Sequence, residues 1–342
     1  MLRHLAAAVT ALVVTTATPA AATPRQVAAV DREVVFTADG TTAYGTLHIP
    51  GHRAGQRLRA ALLLPGSGPT DRDGNQPPGA VPDTLAQLAD ALGTEGIATL
   101  RFDKYGTGRT GLGAYREHPE ELDYPAFVRQ ARAAYESLRA QPETDPHALL
   151  VVGHSEGAMT ALLLGGTVRP RTAGLALLQP QAIRLLDLVA LQLKAQIAEA
   201  ARQGQFTPEQ RRVVDAAVDD AVTALRENRP VDTTDLPPPV ARLFEAFQGP
   251  NARFVRSDDA VHPPDTAGAL RPATKVLLTC GTNDAQVPCA TTDALTAALR
   301  RARTGGPGRV ALPGVDHLLH DAGHQATLAP PALDALRRFA RP

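Results

Sequence analysis

The chain has 342 residues, 44% of them hydrophobic and only 4% aromatic, with 35 basic side chains set against 35 acidic ones. That length can bury a sizeable core, as one large α/β domain or two small ones. Balanced charge, with no basic cluster interleaved with aromatics, excludes the electrostatic footprint of a nucleic-acid partner, and scarce aromatics among abundant alanine predict a pocket lined by small aliphatic side chains.

Residues 1–22 read as a signal peptide. Met1-Leu2-Arg3-His4 supplies a basic start, residues 5–14 an apolar run, and Ala20-Ala21-Ala22 an A-x-A cleavage site before Thr23. A membrane anchor is the alternative, but the run is too short and is broken by Thr15, Thr16, Thr18 and Pro19. No cysteine follows in lipobox fashion. The pattern predicts a secreted protein that begins near Thr23 and carries no lipid or stable membrane anchor.

Two short runs rich in valine, threonine and leucine, 33–37 and 43–49, flank Asp39-Gly40 and predict an antiparallel hairpin. From Ala60 onward buried strands alternate with helices. The strands are predicted at 60–64, 98–102, 149–152, 175–178, 275–279 and 309–312, and the helices at 83–92, 125–138, 158–165, 293–303 and 331–339. Such alternation calls for a mostly parallel sheet covered on both faces.

The rhythm breaks over residues 182–262, where only helical patterns occur. Ile183, Leu186, Val189, Leu193 and Ile197 recur with helical spacing, and Thr207-Pro208-Glu209-Gln210 forms a capping box with proline at the first helical position. Pro237-Pro238-Pro239 precedes a third short helix near 241–247, ended by Gly249-Pro250. An all-helical insertion between two strands predicts a lid over a cleft, with a peripheral bundle or dimer surface as the alternative. The α/β core would then comprise residues 23–181 and 263–342.

The decisive motif is Gly153-His154-Ser155-Glu156-Gly157, set between a buried strand and a helix. A serine on so tight a strand-to-helix turn has its hydroxyl pushed clear of the backbone, and the flanking glycines let strand and helix pass close together. Serine needs a base, and the base needs a carboxylate to orient it. Both partners of such an elbow serine come later in the chain, acid before histidine. Asp284 lies in the loop after the 275–279 strand; Asp258, Asp259 and Asp265 are rivals that no strand presents. His317 is the first histidine after the 309–312 strand and its Pro313-Gly314 turn; His320 and His324 compete with it. His154 should point away from the serine hydroxyl, and His262 is a candidate to line the cleft. For the oxyanion, the backbone N–H of Glu156 and that of Ser67, in Leu64-Pro65-Gly66-Ser67-Gly68-Pro69, are the candidate donors.

Two glycine-rich pieces invite other chemistry. Residues 101–111 lack the Gly-Lys-Ser/Thr ending of a phosphate-binding loop, so Asp103 is read as bracing neighbouring turns. Asp71-Arg72-Asp73-Gly74-Asn75 has no glutamate at the calcium-loop distance and is read as a salt-bridged loop rather than a metal site. The only cysteines, Cys280 and Cys289, flank Asp284; in an oxidising compartment they invite a disulfide, with two buried thiols as the alternative.

Taken together, PGSGPTDRDGN, RFDKYGTGRTG, GHSEGA, CGTNDAQVP and LPGVDHLLH resemble the α/β-hydrolase superfamily, and within it the bacterial serine esterases and serine-aminopeptidase-like hydrolases. The resemblance runs from about residue 33 to the C-terminus, with the helical insertion least covered. It implies an eight-stranded, mostly parallel sheet, the triad Ser155, Asp284 and His317, and neither metal nor organic cofactor. Pro65 stands where many relatives have histidine, and Asp316 where asparagine is common; neither supplies the proposed donor or base.

The function expected is hydrolysis of a small-molecule carboxylic ester through an acyl-enzyme, with short to medium acyl chains. The alternatives are amide hydrolysis as an exopeptidase, with Glu156 and the lid acids Glu199, Asp215, Asp219 and Asp220 holding an amine, and thioester or lactone opening or acyl transfer. A fold that binds without turnover is a further alternative. The sequence does not specify the oligomeric state.

Overall fold

A computed structural model describes residues 25–321, 323–324 and 326–341. The signal-peptide pattern lies outside the described residues.

The eight-stranded sheet begins with the predicted hairpin, β2 (Val30–Ala38) and β3 (Thr41–Ile49), which turns at Asp39 and Gly40, both at positive φ. A two-residue ribbon, β1 (Gln26–Val27) with β4 (His52–Arg53), flanks it. The parallel strands follow: β5 (Leu58–Leu64), β6 (Ala98–Phe102), β7 (Thr144–His154), β8 (Gly174–Leu178), β9 (Lys275–Gly281) and β10 (Gly305–Leu312). Their spatial order is β10-β9-β8-β7-β5-β6-β3-β2, with β3 antiparallel to both of its neighbours. The expected mostly parallel, eight-stranded sheet is thus observed.

Strand β5 illustrates why the sequence folds this way. Ala60, Leu62 and Leu64 enter one core with Ala131, Tyr135 and Leu138 of α2 (Tyr124–Arg139) and Ala158 and Leu162 of α3 (Glu156–Thr167). Ala61 and Leu63 enter the other, with Leu85, Leu88 and Leu92 of α1 (Thr84–Thr94) and Leu336 and Phe339 of α10 (Pro330–Ala340). A strand that is apolar without a break, as β5 is from Ala60 to Leu64, is stable only when both faces are covered, and each leucine so buried contributes about 1.5–3 kcal/mol. Strand β7 is longer than its apolar run predicts. Its polar start, Thr144-Asp145-Pro146-His147, joins the sheet through a register shift opposite Leu58 and Ala60.

Between β8 and β9 the described chain is entirely helix and loop. It comprises α4 (Leu185–Arg202), α5 (Pro208–Arg226), α6 (Pro238–Gln248), α7 (Ala252–Asp259) and α8 (Pro263–Gly268). The capping box forms as read: Thr207 Oγ1 accepts from Gln210 N at 3.1 Å, and Gln210 Oε1 from Thr207 N at 2.8 Å. Leu186, Leu193 and Ile197 of α4 pack on Val214, Val218, Val222 and Leu225 of α5 and on Phe244, giving these helices a core of their own. Helix α7 has no counterpart in the sequence reading, because its Ser257-Asp258-Asp259 end interrupts any apolar stripe. Asp259 is buried there by pairing with Arg226 at 2.8 Å and by accepting from Leu186 N at 2.8 Å. Helix α9 (Asp293–Arg301) covers β9 and β10.

Two loops at the carboxyl ends of the strands interlock. Asp103 accepts from Arg72 Nη2 at 2.6 Å, Arg72 Nε at 3.0 Å and Arg109 N at 2.9 Å, while Asp73 Oδ1 accepts from Arg101 Nε at 2.7 Å. Both motifs read as braces are braces. They buttress the loop from Leu64 to Thr70.

Candidate active site

Ser155 joins β7 to α3 with φ 56° and ψ −121°, a backbone conformation L-residues rarely adopt and one that costs on the order of 1–3 kcal/mol. The turn is over-determined. Ser155 N donates to Leu178 O at 3.0 Å, and Ser155 O accepts from Gln181 N at 3.1 Å. A Cβ at Gly153 would overlap the Gly157 carbonyl, and one at Gly157 would overlap the carbonyls of Leu64 and Pro65. Both glycines are therefore required by close approach.

The structure brings Ser155, His317 and Asp284 together. Ser155 Oγ lies 3.1 Å from His317 Nε2, and His317 Nδ1 lies 2.9 Å from Asp284 Oδ2. The other oxygen of Asp284 accepts from Gln286 N at 2.9 Å and Val287 N at 2.7 Å, which fixes the carboxylate plane. All three side chains are buried. Cys280 and Cys289 are bridged, so the Asp284 loop is tied at both ends.

His154 braces the base instead of competing with it. Its Nε2 donates to the His317 carbonyl oxygen at 2.7 Å, and burial, reinforced by the nearby His317 ring, pushes its pKa down to about 4. His320 is tied through its backbone to Asp316, and His324 pairs with Asp321, so neither reaches the serine. His262 pairs with Asp265 at 2.9 Å and does not border the cleft.

Ser155, His317, Ser67 and Glu156 open onto one cleft of about 800 Å³ between the sheet and helices α4, α6 and α7. Among the described residues, neither the Ser67 nor the Glu156 amide donates to a backbone acceptor. The cleft lining overturns the small-aliphatic expectation. Beside Leu185, Val189 and Leu243 stand four aromatic rings, Tyr105, Phe127, Phe247 and Phe254.

The sequence profile described as the alpha/beta hydrolase family matches residues 61–329. The chain belongs to that family. No curated protein matches the sequence. Among solved structures, the alpha/beta hydrolase resembles Est1E of Butyrivibrio proteoclasticus with ferulic acid bound, at 19% identity and TM-score 0.56 over 90% of this chain and 97% of that one. It also resembles an esterase of Pyrococcus furiosus, at 13% identity and TM-score 0.53 over 85% and 84% of the two chains. A third similar structure is the alpha/beta hydrolase GrgF of Penicillium sp. sh18, at 18% identity and TM-score 0.54 over 91% and 100%. At these identities the likeness is one of fold.

Behind the elbow of this alpha/beta hydrolase lies a polar cluster that the sequence reading did not assemble. Lys104, just after β6, donates from Nζ to Gly66 O at 2.5 Å and stands 3.8 Å from Glu156 Oε1. Asp258 of α7 accepts from Gln181 Nε2 at 2.9 Å. Glu156 Oε2 and Asp258 Oδ2 are buried with no hydrogen-bond partner among the described residues. Burial, then the Glu156 charge, drives the Asp258 carboxyl well above the usual carboxylate range. Burial also raises Glu156, against the pull of Lys104. The only sequence signal for the cluster was a lysine inside a glycine-rich run. Of the lid acids suggested for an amine, Glu199 pairs with Arg202, Asp215 with Arg211 and Asp219 with Lys194, while Asp220 is exposed; none of the four borders the cleft.

Proposed function

We infer that the protein is a secreted serine hydrolase that cleaves carboxylic esters through an acyl-enzyme. The observation that carries this reading is the line of contacts from Asp284 through His317 to Ser155 Oγ, at 2.9 and 3.1 Å. Ser155 Oγ attacks the ester carbonyl while His317 Nε2 takes its proton; Asp284 holds the ring so that Nε2 faces the serine. The N–H groups of Ser67 and Glu156 receive the oxyanion. His317 then returns the proton to the departing alkoxide, and a water deprotonated by the same nitrogen hydrolyses the acyl-serine.

The cleft suits an apolar acid. Its rings at Phe127, Phe247 and Phe254 and its aliphatic wall favour an aryl or medium-length acyl group over a charged one. Est1E, which binds ferulic acid, is a relative in fold that accepts such a group. Helices α4 to α7 act as the lid, and residues 182–262 are proposed as that unit. Export is supported by the signal pattern together with the Cys280–Cys289 disulfide.

Turnover of p-nitrophenyl acetate, butyrate and octanoate, compared with aminoacyl-p-nitroanilides, tests the reading on the mature chain from Thr23. Ester cleavage that disappears in Ser155→Ala, with loss of fluorophosphonate labelling, is the expected result. A higher kcat/KM for the anilides than for every ester, or labelling that persists in Ser155→Ala, would overturn it.

A further inference from the structure

Lys104 takes no part in the proton transfers above, yet it touches the machinery at one atom that matters. Its Nζ donates to Gly66 O, and the Gly66 carbonyl and the Ser67 N–H are the two ends of a single peptide unit. A cation on the oxygen of a peptide fixes its plane and draws electron density from the nitrogen end, which makes the N–H a stronger donor. The next peptide is pinned as well: Ser67 O accepts from Thr70 Oγ1 at 2.7 Å and from Gln76 Nε2 at 3.0 Å. At the 7% exposure of Lys104 and the 4% exposure of Glu156, such polarisation is larger than at a surface.

The geometry points to Lys104 as a positioning residue of the oxyanion hole, an ammonium that acts through the Gly66–Ser67 peptide to aim and strengthen the Ser67 N–H. This rests on the reading of Ser67 as an oxyanion donor. Glu156 serves the same end twice, since its backbone N–H is the second donor and its carboxylate faces the ammonium at 3.8 Å. Burial pulls the Lys104 pKa down, and the charge of Glu156, foremost among its neighbours, opposes that pull. The three groups come from the loop after β6, the elbow and α7, which links the lid side of the cleft to the oxyanion loop.

The test compares wild type with Lys104→Met, which keeps the bulk and removes the donor, and with Lys104→Arg. The readouts are kcat and KM for p-nitrophenyl butyrate and inhibition by phenylboronic acid, whose serine adduct carries the tetrahedral charge. Weakening rather than deleting one donor should lower kcat of Lys104→Met by about 10- to 100-fold, with KM within about threefold of wild type and boronate affinity reduced by a similar factor. Lys104→Arg should recover part of the loss in both kcat and boronate affinity. A folded Lys104→Met with wild-type kcat, or one whose loss lies in KM with boronate affinity unchanged, would overturn the inference. If Lys104→Met does not fold, Glu156→Gln decides: kcat reduced about three- to tenfold at constant KM supports it, and unchanged kcat sinks it. A wild type that neither hydrolyses esters nor binds the boronate removes the esterase reading itself, an outcome distinct from the others.

Discussion

A second imidazole beside the proposed base, His317, is a hazard unless it is kept neutral, and burial holds the His154 pKa down. Its value near 4 against about 6.5 in an unfolded chain has a sign that can be checked. Below pH 6.5 the unfolded chain takes up a proton that folded His154 refuses until about pH 4, so the stability due to this residue is present above pH 6.5 and is lost as pH falls through that window. His154→Gln, though weaker at pH 7, should lose about 2–3 kcal/mol less than wild type between pH 7 and 4.5, measured by urea unfolding at each pH. Groups common to both proteins, such as Asp258 and Glu156, cancel in that comparison. Asp284→Asn preserves an acceptor for Val287 N but presents an N–H donor to His317 Nδ1, which favours the tautomer protonated on Nε2; kcat for p-nitrophenyl butyrate should fall on the order of 10³–10⁴-fold with thermal stability little changed.

At the level of elements, the position of the site follows from loops joined by charge. Arg72 grips Asp103 through two nitrogens, and both side chains are shielded. Removing one member of such a pair leaves the other uncompensated, so Arg72→Ala should destabilise the fold by about 3–5 kcal/mol in denaturant titration. Because Asp103 precedes Lys104, activity should fall more than the folded fraction does. What the sequence made legible follows the same division. Runs such as Leu58–Leu64 and the Gly153–Gly157 elbow declare themselves, because two-sided burial and close backbone approach demand particular residue types locally. Asp284 and His317 were legible through their places after strands. The Lys104–Glu156–Asp258 cluster was not, since its members are brought together only by tertiary packing and no spacing in the chain links them. Helix α7 was missed for the same reason: its acidic end is tolerated only because Arg226 and Gln181 arrive from elsewhere.

Across the whole molecule, loops at the ends of the sheet strands present Ser155, Asp284 and His317, and helices α4, α6 and α7 supply the facing wall of the cleft. The two halves have separate apolar cores, so the wall can be altered with little effect on the sheet. Leu243→Trp, which adds bulk on the cleft side of α6, should reduce kcat/KM for p-nitrophenyl octanoate about tenfold or more while leaving the acetate ester nearly unaffected. Equal losses for both esters would show that this wall does not hold the acyl chain. The Cys280–Cys289 bond has a different kind of reach. The loop it closes is stabilised by about 2–3 kcal/mol, a sum that matters to the loop and is small beside the two large cores. A chain produced under reducing conditions would thus pass every test of secondary structure and solubility while holding its acid loosely, and specific activity, not folding yield, would record whether the oxidation had taken place.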